Sequence, residues 1–506
     1  MLPSPLHTVS SARGVPRRAT GSRPRFWTGG DVPLLLGVAL VALGCIVGVS
    51  VAALPPFAAL IAVIGMIAGA YLFVSPEAAI LGFCGIVTLL PFGVIPVKLG
   101  ASLTFLDALL GIFTLVWLLR MLVKPDPPMG TSPDGTHTAI VILVVLWIAV
   151  SFLSFLMGTG LSVPPGDVLR YYLKIVLATL LFIVALQTIR DARLLRHSIA
   201  ALILGGASAA VIGLILYALP HTLATQILSS LHVVGYPSGA NVLRFRVDFN
   251  HAQRAISTSV DPNVLGGLFV VTGALAISQW FARERVIPRW LAVACSFAIL
   301  ACLPLTYSRG AWISLAAAIL IMATWHYRRL LVLFVVALFI FVQLPASHAF
   351  TAQLQSGVRV QDKAAGMRVG EINDSIRLIG RYPLFGVGFG SAPDRDIYVG
   401  VSNIYLLMAE ETGLVGLALF VIILLMYLWF MFRALPRIQN PSLFAIALGT
   451  FSGSVGAMTA GMFDRYFFSF PHDIALFWFF LALSLAAVSI DRSTQAREAS
   501  FVDTTT

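Results

Sequence analysis

The chain has 506 residues, of which 58% are hydrophobic and only 11% charged, and its formal net charge at pH 7 is +11. A soluble domain carries about 25% charged residues, so this composition excludes an ordinary soluble protein. The apolar residues form continuous blocks of about 20, long enough to cross a hydrocarbon layer of roughly 30 Å. Continuous blocks disfavour a β-barrel, whose strands alternate. The basic residues lie in short clusters between the blocks, which disfavours nucleic-acid binding.

Residues 1–32 form a basic tail, and about 14 spans of membrane-crossing length follow it. An even number of spans places both termini on the same side of the membrane. The predicted spans lie at 33–53, 56–75, 78–96, 102–122, 138–158, 168–188, 198–219, 258–280, 289–306, 310–326, 329–345, 412–432, 443–462 and 473–490.

Arginine and lysine residues gather before the first span and in every second loop. The positive-inside rule assigns that side to the cytoplasm. The sequence thus predicts an all-α polytopic membrane protein with cytoplasmic termini and two long external loops, of which the larger is partly helical. The predicted parts are a membrane bundle at 33–219, a loop at 220–257, membrane helices at 258–345, a loop at 346–411, further membrane helices at 412–490 and a cytoplasmic tail at 491–506.

Three charged residues, Asp107, Arg170 and Lys174, each lie a turn or two inside the outer end of a predicted span. Ionisable side chains at such depth usually face the interior of the bundle and pair with each other. One interpretation is a structural ion pair between Asp107 and Arg170 or Lys174. The other is that these residues line a substrate cavity.

Arg309 begins an apolar span on the side where positive charge is not favoured. It is either a residue that reaches to the membrane surface or a residue that binds an anion. The long loops add further arginines on the same side, including Arg246 and Arg254 in the first loop and Arg368 in the second.

The second long loop is predicted to contain about three turns of amphipathic helix, because Ile372, Ile376 and Ile379 follow helical spacing. Arg377 and Arg381 lie one turn apart on that helix. The sequence "GVGFG" (386–390) follows it, and glycines permit tight turns and close backbone approach. Exposed backbone N–H groups beside guanidinium groups suit a phosphate. The local pattern alone favours the simpler alternative, a solvated helix followed by a glycine-rich loop.

Four segments make the sequence recognisable: "DPNVLGG" (261–267), "TYSRGAWISL" (306–315), "RYPLFGVGFG" (381–390) and "SNIYLLMAEETGLVGLALF" (402–420). They resemble the O-antigen ligase/polymerase superfamily of bacterial envelope proteins, in sequence and in order along the chain. The resemblance extends over roughly residues 255–430, whereas the N-terminal half matches only in hydropathy.

The resemblance implies transfer of a glycan from undecaprenyl pyrophosphate at the outer face of the bacterial inner membrane. Ligases of this superfamily pass the glycan to lipid A core, and polymerases pass it to another lipid-linked repeat. The family is thought to invert the anomeric carbon without a metal, so neither a metal nor a cofactor is expected. The implied partners are the lipid-linked glycan, the bilayer, and a chain-length regulator and flippase of the same pathway.

In this resemblance Arg309 matches the family's span arginine and Arg368 its loop arginine, which predicts that both bind pyrophosphate. Fixed cations would stabilise the leaving pyrophosphate most strongly in the transition state, where its negative charge develops. The second-rank candidates for this binding are Arg246, Arg254, Arg377 and Arg381.

The sequence departs from the family at position 402, where a histidine that could activate the acceptor hydroxyl is replaced by Ser402. Serine alone has no useful basicity near pH 7, so Ser402 positions substrate or another residue is the base. The predicted base candidates are Glu410 and Glu411, with Asp394, Asp396, Asp464, His472 and His251 as further possibilities. Asn403, Tyr405, Asp464 and His472 are also predicted to contact substrate.

The serine weakens a ligase assignment more than a polymerase one, so a polymerase for exopolysaccharide or O-antigen is favoured, with a ligase as the alternative. A flippase or other transporter for lipid-linked oligosaccharide is an alternative of another class. Transporters place charge at mid-membrane depth and often have paired halves, whereas here charge gathers at the outer ends of the spans. A non-catalytic membrane scaffold is the remaining alternative.

Overall fold

The computed structural model describes residues 75–95, 103–123, 136–160, 162–239, 242–245, 252–343, 363–389 and 401–505. The predicted span at 33–53 lies outside these residues, and the span at 56–75 reaches them only at Ser75. The candidate residues Arg246, His251, Asp394 and Asp396 also lie outside them.

The described part of the chain is almost entirely α-helical. Its helices are α1 (Pro76–Leu89), α2 (Phe105–Val123), α3 (Thr136–Gly158), α4 (Gly166–Thr188), α5 (Ala192–Ala218), α6 (His221–Ser230), α7 (Pro262–Ser278), α8 (Arg289–Leu305), α9 (Arg309–Trp325), α10 (Arg328–Gln343), α11 (Lys363–Arg381), α12 (Ile404–Ala434), α13 (Pro441–Ala460), α14 (Tyr466–Ser469) and α15 (Pro471–Thr505). Two short antiparallel strands, β1 (Arg244–Phe245) and β2 (Gln253–Arg254), pair Arg244 with Arg254.

Every predicted span from 78–96 onward coincides with a helix. Among the described helices, seven are long and apolar enough to cross a membrane, and four further apolar helices are shorter. These findings confirm an all-α membrane protein, while the count of 14 and the orientation stay predictions. Helix α15 continues to Thr505, through most of the predicted C-terminal tail.

Helices α7, α13 and α15 form the centre of the described bundle, and nearly every side chain of α7 is buried. Small residues on α13 let the other two helices approach closely, as is common between membrane helices. A Cβ atom at Gly453 would lie 3.1 Å from the ring of Phe480 on α15, and one at Gly456 would lie 2.6 Å from the side chain of Val270 on α7. Helix α9 also packs against α7 and α13. The helices that carry the recognisable motifs are therefore central to the bundle.

Helix α12 differs from its prediction in two ways. It begins at Ile404, where the span was predicted to begin at 412, so the last part of the predicted second loop is helical. It is also broken at Gly413, whose backbone is non-helical with φ 70° and ψ −178°. This conformation is essentially restricted to glycine.

Residues 383–388, which we call the plug, fill the break in α12. The N–H groups of Val387 and Gly388 donate to the carbonyls of Glu410 (2.8 Å) and Glu411 (3.0 Å), which end the first half of the helix. The N–H of Leu414, which begins the second half, donates to the carbonyl of Pro383 at 2.7 Å. The plug thus supplies partners for backbone groups that a broken helix would otherwise leave unpaired.

The glycines of the plug therefore have a structural role, which differs from the phosphate binding that the sequence suggested for residues 386–390. The N–H groups of Val387 and Gly388 donate to carbonyl groups of α12, so these hydrogen bonds, and not a phosphate, use them. Gly386 has φ 68°, and a side chain there would overlap the carbonyl oxygen of Glu410. Ser154 on α3 also donates to the carbonyl of Phe385, so the plug is held from two sides.

The amphipathic helix predicted in the second loop is confirmed as α11, and two of the isoleucines that predicted it are exposed. Ile372 and Ile376 are 40% and 58% exposed, whereas Ser375 and Leu378 are buried against the rest of the described chain. Helical spacing identified the helix, but the covered side is set by its packing against α12.

Candidate functional site

Three of the recognisable segments, 261–267, 306–315 and the start of 402–420, meet at one end of the bundle, which we call the motif end. The N–H of Ala255, next to β2, donates to the carbonyl of Leu305 at the end of α8 (2.8 Å). The N–H of Ile404 donates to the carbonyl of Gly461, just after α13 (2.7 Å). These bonds join the segment before α7 to the end of α8, and the start of α12 to the end of α13.

Close packing at three glycines holds the motif end together. A Cβ atom at Gly266 would lie 2.8 Å from Cβ of Ala311, and one at Gly267 would overlap the ring of Tyr466. A Cβ atom at Gly310 would lie 2.9 Å from Cβ of Phe463. Glycine in "DPNVLGG" and in "SRG" therefore lets α7 and α9 touch each other and the segment 461–466.

Arg254 joins two of the motifs directly. Its Nε donates to the carbonyl of Thr306 at 2.7 Å, and its Nη2 donates to Oδ1 of Asn263 at 2.7 Å. Two of its N–H groups are thus used to fix the segments before α9 and at the start of α7. Arg254 thus lies at the motif end, where these contacts give it a positioning role.

The backbone beside Arg254 is strained. Three non-glycine residues have positive φ among the described residues, namely Ser257 (52°), Val260 (57°) and Tyr307 (53°). For a β-branched residue such as Val260 this conformation is a clear outlier. Strained residues of this kind cluster at functional sites, because the surrounding structure must enforce them. Here they flank Asp261 and Ser308, which are the N-cap residues of α7 and α9.

Arg309 is the first residue of α9, and no acidic residue accompanies it in that turn. The helix dipole places partial positive charge at an N-terminus, where a cationic side chain is unfavourable and an anion is favourable. The position of Arg309 therefore adds to a positive field that suits an anionic ligand. Its neighbour Gly310 lies against Phe463, so this N-terminus adjoins the segment 461–466.

Helix α11 brings Arg368 to the same place. Oε2 of Glu371 accepts a hydrogen bond from the backbone N–H of Ser402 at 2.9 Å, which docks α11 on the start of α12. The exposed Arg368, one turn away, is close enough to Asp464 for its charge to lower the pKa of that carboxyl group.

Two further candidates in the second loop, Arg377 and Arg381, lie elsewhere on α11. Arg377 forms an ion pair with Asp374 at 3.0 Å on the exposed face of α11. Arg381 lies at the end of α11, roughly 20 Å along the helix axis from Arg368 at 1.5 Å per residue. One pyrophosphate cannot span that distance, so the structure separates Arg381 from Arg368.

Asn403 and Tyr405 have structural partners. Oδ1 of Asn403 accepts from the N–H groups of Tyr405 (2.9 Å) and Leu406 (3.1 Å), which caps α12, and its Nδ2 donates to the carbonyl of Met462 at 3.1 Å. The hydroxyl of Tyr405 donates to the carbonyl of Met458 at 3.0 Å. Both side chains fix the position of α12 against the end of α13, with Ser402 just before them.

Glu410 and Glu411 are buried, with exposed fractions of 3% and 6%. They lie about 10 Å further along α12 than Asn403, at 1.5 Å per residue, beside the plug. The structure therefore places both predicted base candidates next to the helix break rather than beside Arg368.

Asp464 occupies the turn after α13 and is half-buried. Burial raises the pKa of its carboxyl group to about 6, against the lowering effect of a hydrogen bond from the N–H of Arg465. The nearby charge of Asp261 raises that pKa further, whereas Arg368 and Arg465 lower it. A carboxyl group of this kind changes its charge close to neutral pH.

The structure adds two acidic residues that the sequence did not single out, Asp261 and Asp473. Both raise the pKa of Tyr466, together with its burial and the charge of Asp464. Asp261 could have been found as an N-cap, because aspartate directly before proline at a helix start is a common signature. No sequence signal connects Asp473 to Asp261, since the two are far apart along the chain.

His472 is buried between aromatic rings, with its ring centre 4.6 Å from that of Phe92 and 5.7 Å from that of Phe470. Its Nε2 lies 3.7 Å from Oδ2 of Asp473. The predicted candidate is therefore near the acidic residues but is enclosed by apolar groups.

The predicted ion pair in the N-terminal part of the bundle is confirmed for one of its two alternatives. Nζ of Lys174 lies 2.8 Å from Oδ2 of Asp107, which also accepts from the N–H of Thr104 at 3.1 Å. Asp107 is 7% exposed and Lys174 is 20% exposed. The pair thus anchors α4 to the start of α2.

We expect Asp107→Asn to lower the stability of the protein by about 3–5 kcal/mol, because it leaves a largely buried charge without its partner. The double variant Asp107→Asn with Lys174→Met should lose less unfolding free energy than the sum of the two single variants. A variant in which the two charges are exchanged should regain part of the lost stability. Thermal unfolding in detergent measures all of these variants. Additive effects, together with a swap that restores nothing, would contradict a stabilising pair.

Comparison with known proteins agrees with the motifs. Residues 294–421 match the family described as O-antigen ligase, a range that contains Arg309, Arg368 and Ser402. No curated protein matches the chain significantly. The match at residues 294–421 thus supports the resemblance to the O-antigen ligase-like superfamily that the motifs predicted.

Proposed function

We propose that this protein polymerises or transfers undecaprenyl-pyrophosphate-linked glycan units at the outer face of the bacterial inner membrane. The observation that carries the proposal is the arrangement at the motif end, where Gly310, next to Arg309, packs against Phe463, and the charge of Arg368 acts on the neighbouring Asp464. Fixed cations at this place suit the departure of a pyrophosphate, whose negative charge grows as the bond to the sugar breaks.

In this proposal the donor lipid stays in the bilayer, and its pyrophosphate lies against Arg309 and the N-terminus of α9. Arg368 approaches from α11, because Glu371 holds that helix on the start of α12. As the bond from sugar to pyrophosphate breaks, negative charge grows on the phosphate oxygens and the guanidinium groups stabilise it. The acceptor attacks from the opposite face, so the anomeric configuration inverts.

We favour a polymerase, because Ser402 replaces the histidine of the ligase pattern and its N–H is used to dock α11. A ligase that passes the glycan to lipid A core or to protein is the alternative. A flippase for lipid-linked oligosaccharide is the alternative from another class, and it predicts movement of the donor without a new glycosidic bond.

Reconstitution separates these functions. The purified protein in liposomes should receive the lipid-linked glycan pool extracted from cells that lack it. Extension of that pool without any added acceptor supports a polymerase, and transfer only after addition of lipid A core or protein supports a ligase. Movement across the bilayer with no change in glycan length would overturn the proposal in favour of a flippase.

A further inference from the structure

The turn between α13 and α14 contains a group that the proposed function has not yet used. We propose that Asp464 is the catalytic base that removes the proton from the acceptor hydroxyl, in place of the histidine that Ser402 replaces. This inference rests on the proposed function and assigns its missing proton acceptor.

The first argument is position. Asp464 directly follows Phe463, which packs against Gly310 beside Arg309, and it lies within electrostatic reach of Arg368. The same turn accepts hydrogen bonds from the side chain of Asn403 and from the N–H of Ile404. A general base must reach the acceptor hydroxyl, across the anomeric carbon from the pyrophosphate, and the turn that carries Asp464 packs against the start of the helix that carries Arg309.

The second argument is that the other candidates have different surroundings. Glu410 and Glu411 lie about 10 Å further along α12, beside the plug. His472 is packed between phenylalanine rings and is 3% exposed. Oδ1 of Asp261 caps α7 by accepting from the N–H groups of Asn263 (2.7 Å) and Val264 (3.3 Å). Asp464 is half-buried, so a substrate hydroxyl can reach it.

The third argument comes from buried polar atoms next to the turn. The hydroxyl of Tyr466 and Oδ2 of Asp473 are buried and have no hydrogen-bond partner among the described residues. Tyr466 nevertheless interacts electrostatically with Asp464, Asp473 and Asp261. Buried polar groups normally have partners, so water or the hydroxyl groups of a substrate would supply the partners that these atoms lack within the described chain. A glycan acceptor carries such hydroxyl groups.

The ionisation of Asp464 fits this role. The charged and titratable groups that act on it are Asp261 from α7, Arg368 from α11 and its neighbour Arg465, and its charge acts in turn on Tyr466. With its pKa raised to about 6, Asp464 is ionised at neutral pH and is a stronger base than an ordinary aspartate. A pKa near the working pH is what general base catalysis favours.

The proposed step is balanced. The proton of the acceptor hydroxyl moves to a carboxylate oxygen of Asp464 while the acceptor oxygen forms a bond to the anomeric carbon. The bond from that carbon to the pyrophosphate oxygen breaks, and its electron pair leaves with the pyrophosphate. Asp464 then returns its proton to water.

The test compares Asp464→Asn and Asp464→Glu with Asp167→Asn, a matched control at an exposed aspartate in the first turn of α4. The assay is extension or transfer of the lipid-linked glycan pool from cells that lack the protein. We expect Asp464→Asn to slow transfer by about 10²–10⁴-fold, the usual contribution of a general base. Binding of undecaprenyl pyrophosphate should stay close to wild type, and Asp167→Asn should transfer at the wild-type rate.

The pH profile supplies a readout that misfolding would not produce. The rate of the wild-type protein should rise as the pH increases through about 6, the pKa of Asp464, and Asp464→Glu should shift this limb while keeping part of the activity. Asp464→Asn should be at least as heat-stable as wild type at pH 8, because burial disfavours the charge that it removes.

The outcomes separate this inference from the proposed function. A wild-type protein that transfers no glycan under any acceptor condition contradicts the proposed function itself. Wild-type transfer together with an active Asp464→Asn, or with a limb that Asp464→Glu leaves unmoved, overturns the assignment of Asp464 alone.

Discussion

Replacing Gly413 with alanine should prevent α12 from folding around the plug and remove most of the correctly folded protein. The backbone of Gly413 lies in a region that costs other residues about 1–3 kcal/mol. A Cβ atom there would also overlap the carbonyl oxygen of Leu384 in the plug. The plug would have to move, and the backbone groups that it pairs would lose their partners.

Size-exclusion chromatography and thermal unfolding in detergent measure this effect. Gly386→Ala, on the opposite side of the same contact, should behave in the same way. The matched control is Gly380→Ala on α11, where a Cβ atom meets nothing within 4 Å. That change should be neutral or stabilising by up to about 1 kcal/mol, since alanine is the better helix former. A Gly413→Ala protein with wild-type heat stability would show that the break is dispensable.

Replacing Arg309 or Arg368 with alanine should lower glycan transfer by about 10²–10³-fold each, which is typical for one donor that stabilises a developing anion. Arg309→Lys should restore only part of the activity, because lysine keeps the charge and loses the two-pronged geometry of the guanidinium group. Reconstituted transfer assays at equal protein levels measure these effects.

The control is Arg329→Ala, at an exposed arginine near the start of α10. It should leave the transfer rate unchanged. If Arg309→Ala and Arg368→Ala both transferred glycan at the wild-type rate, neither residue would bind the leaving pyrophosphate, and the site would have to be sought elsewhere.

The sequence predicts the helices well because apolar blocks of membrane length have few other solutions. It also predicts the pairing of Asp107, since a charge at such depth needs a partner; the choice of Lys174 over Arg170 required the structure. The motifs further identified Arg309 and Arg368 as a pair, although nothing local shows that residues so far apart along the chain belong together.

The break at Gly413 could not be predicted, because "TGLVGLALF" is a continuous apolar run and a single glycine in it is compatible with an ordinary helix. The break depends on long-range backbone bonds to the plug, which periodicity does not record. The acidic residues at 261, 464 and 473 likewise become neighbours only through the packing of α7, α13 and α15. For the same reason the helical spacing of Ile372 and Ile376 predicted a helix, but which side of it packs against α12 required the structure.

The exchange of backbone hydrogen bonds between the plug and α12 has a consequence for substrate traffic. The plug cannot detach without leaving four such bonds unmade, and each group left without a partner in hydrocarbon costs several kcal/mol. The C-terminal end of α11 is therefore tethered to α12. Under the proposed function, a lipid-linked donor would then reach the motif end by sliding sideways between helices from the surrounding bilayer, and the product would leave by the same kind of lateral route.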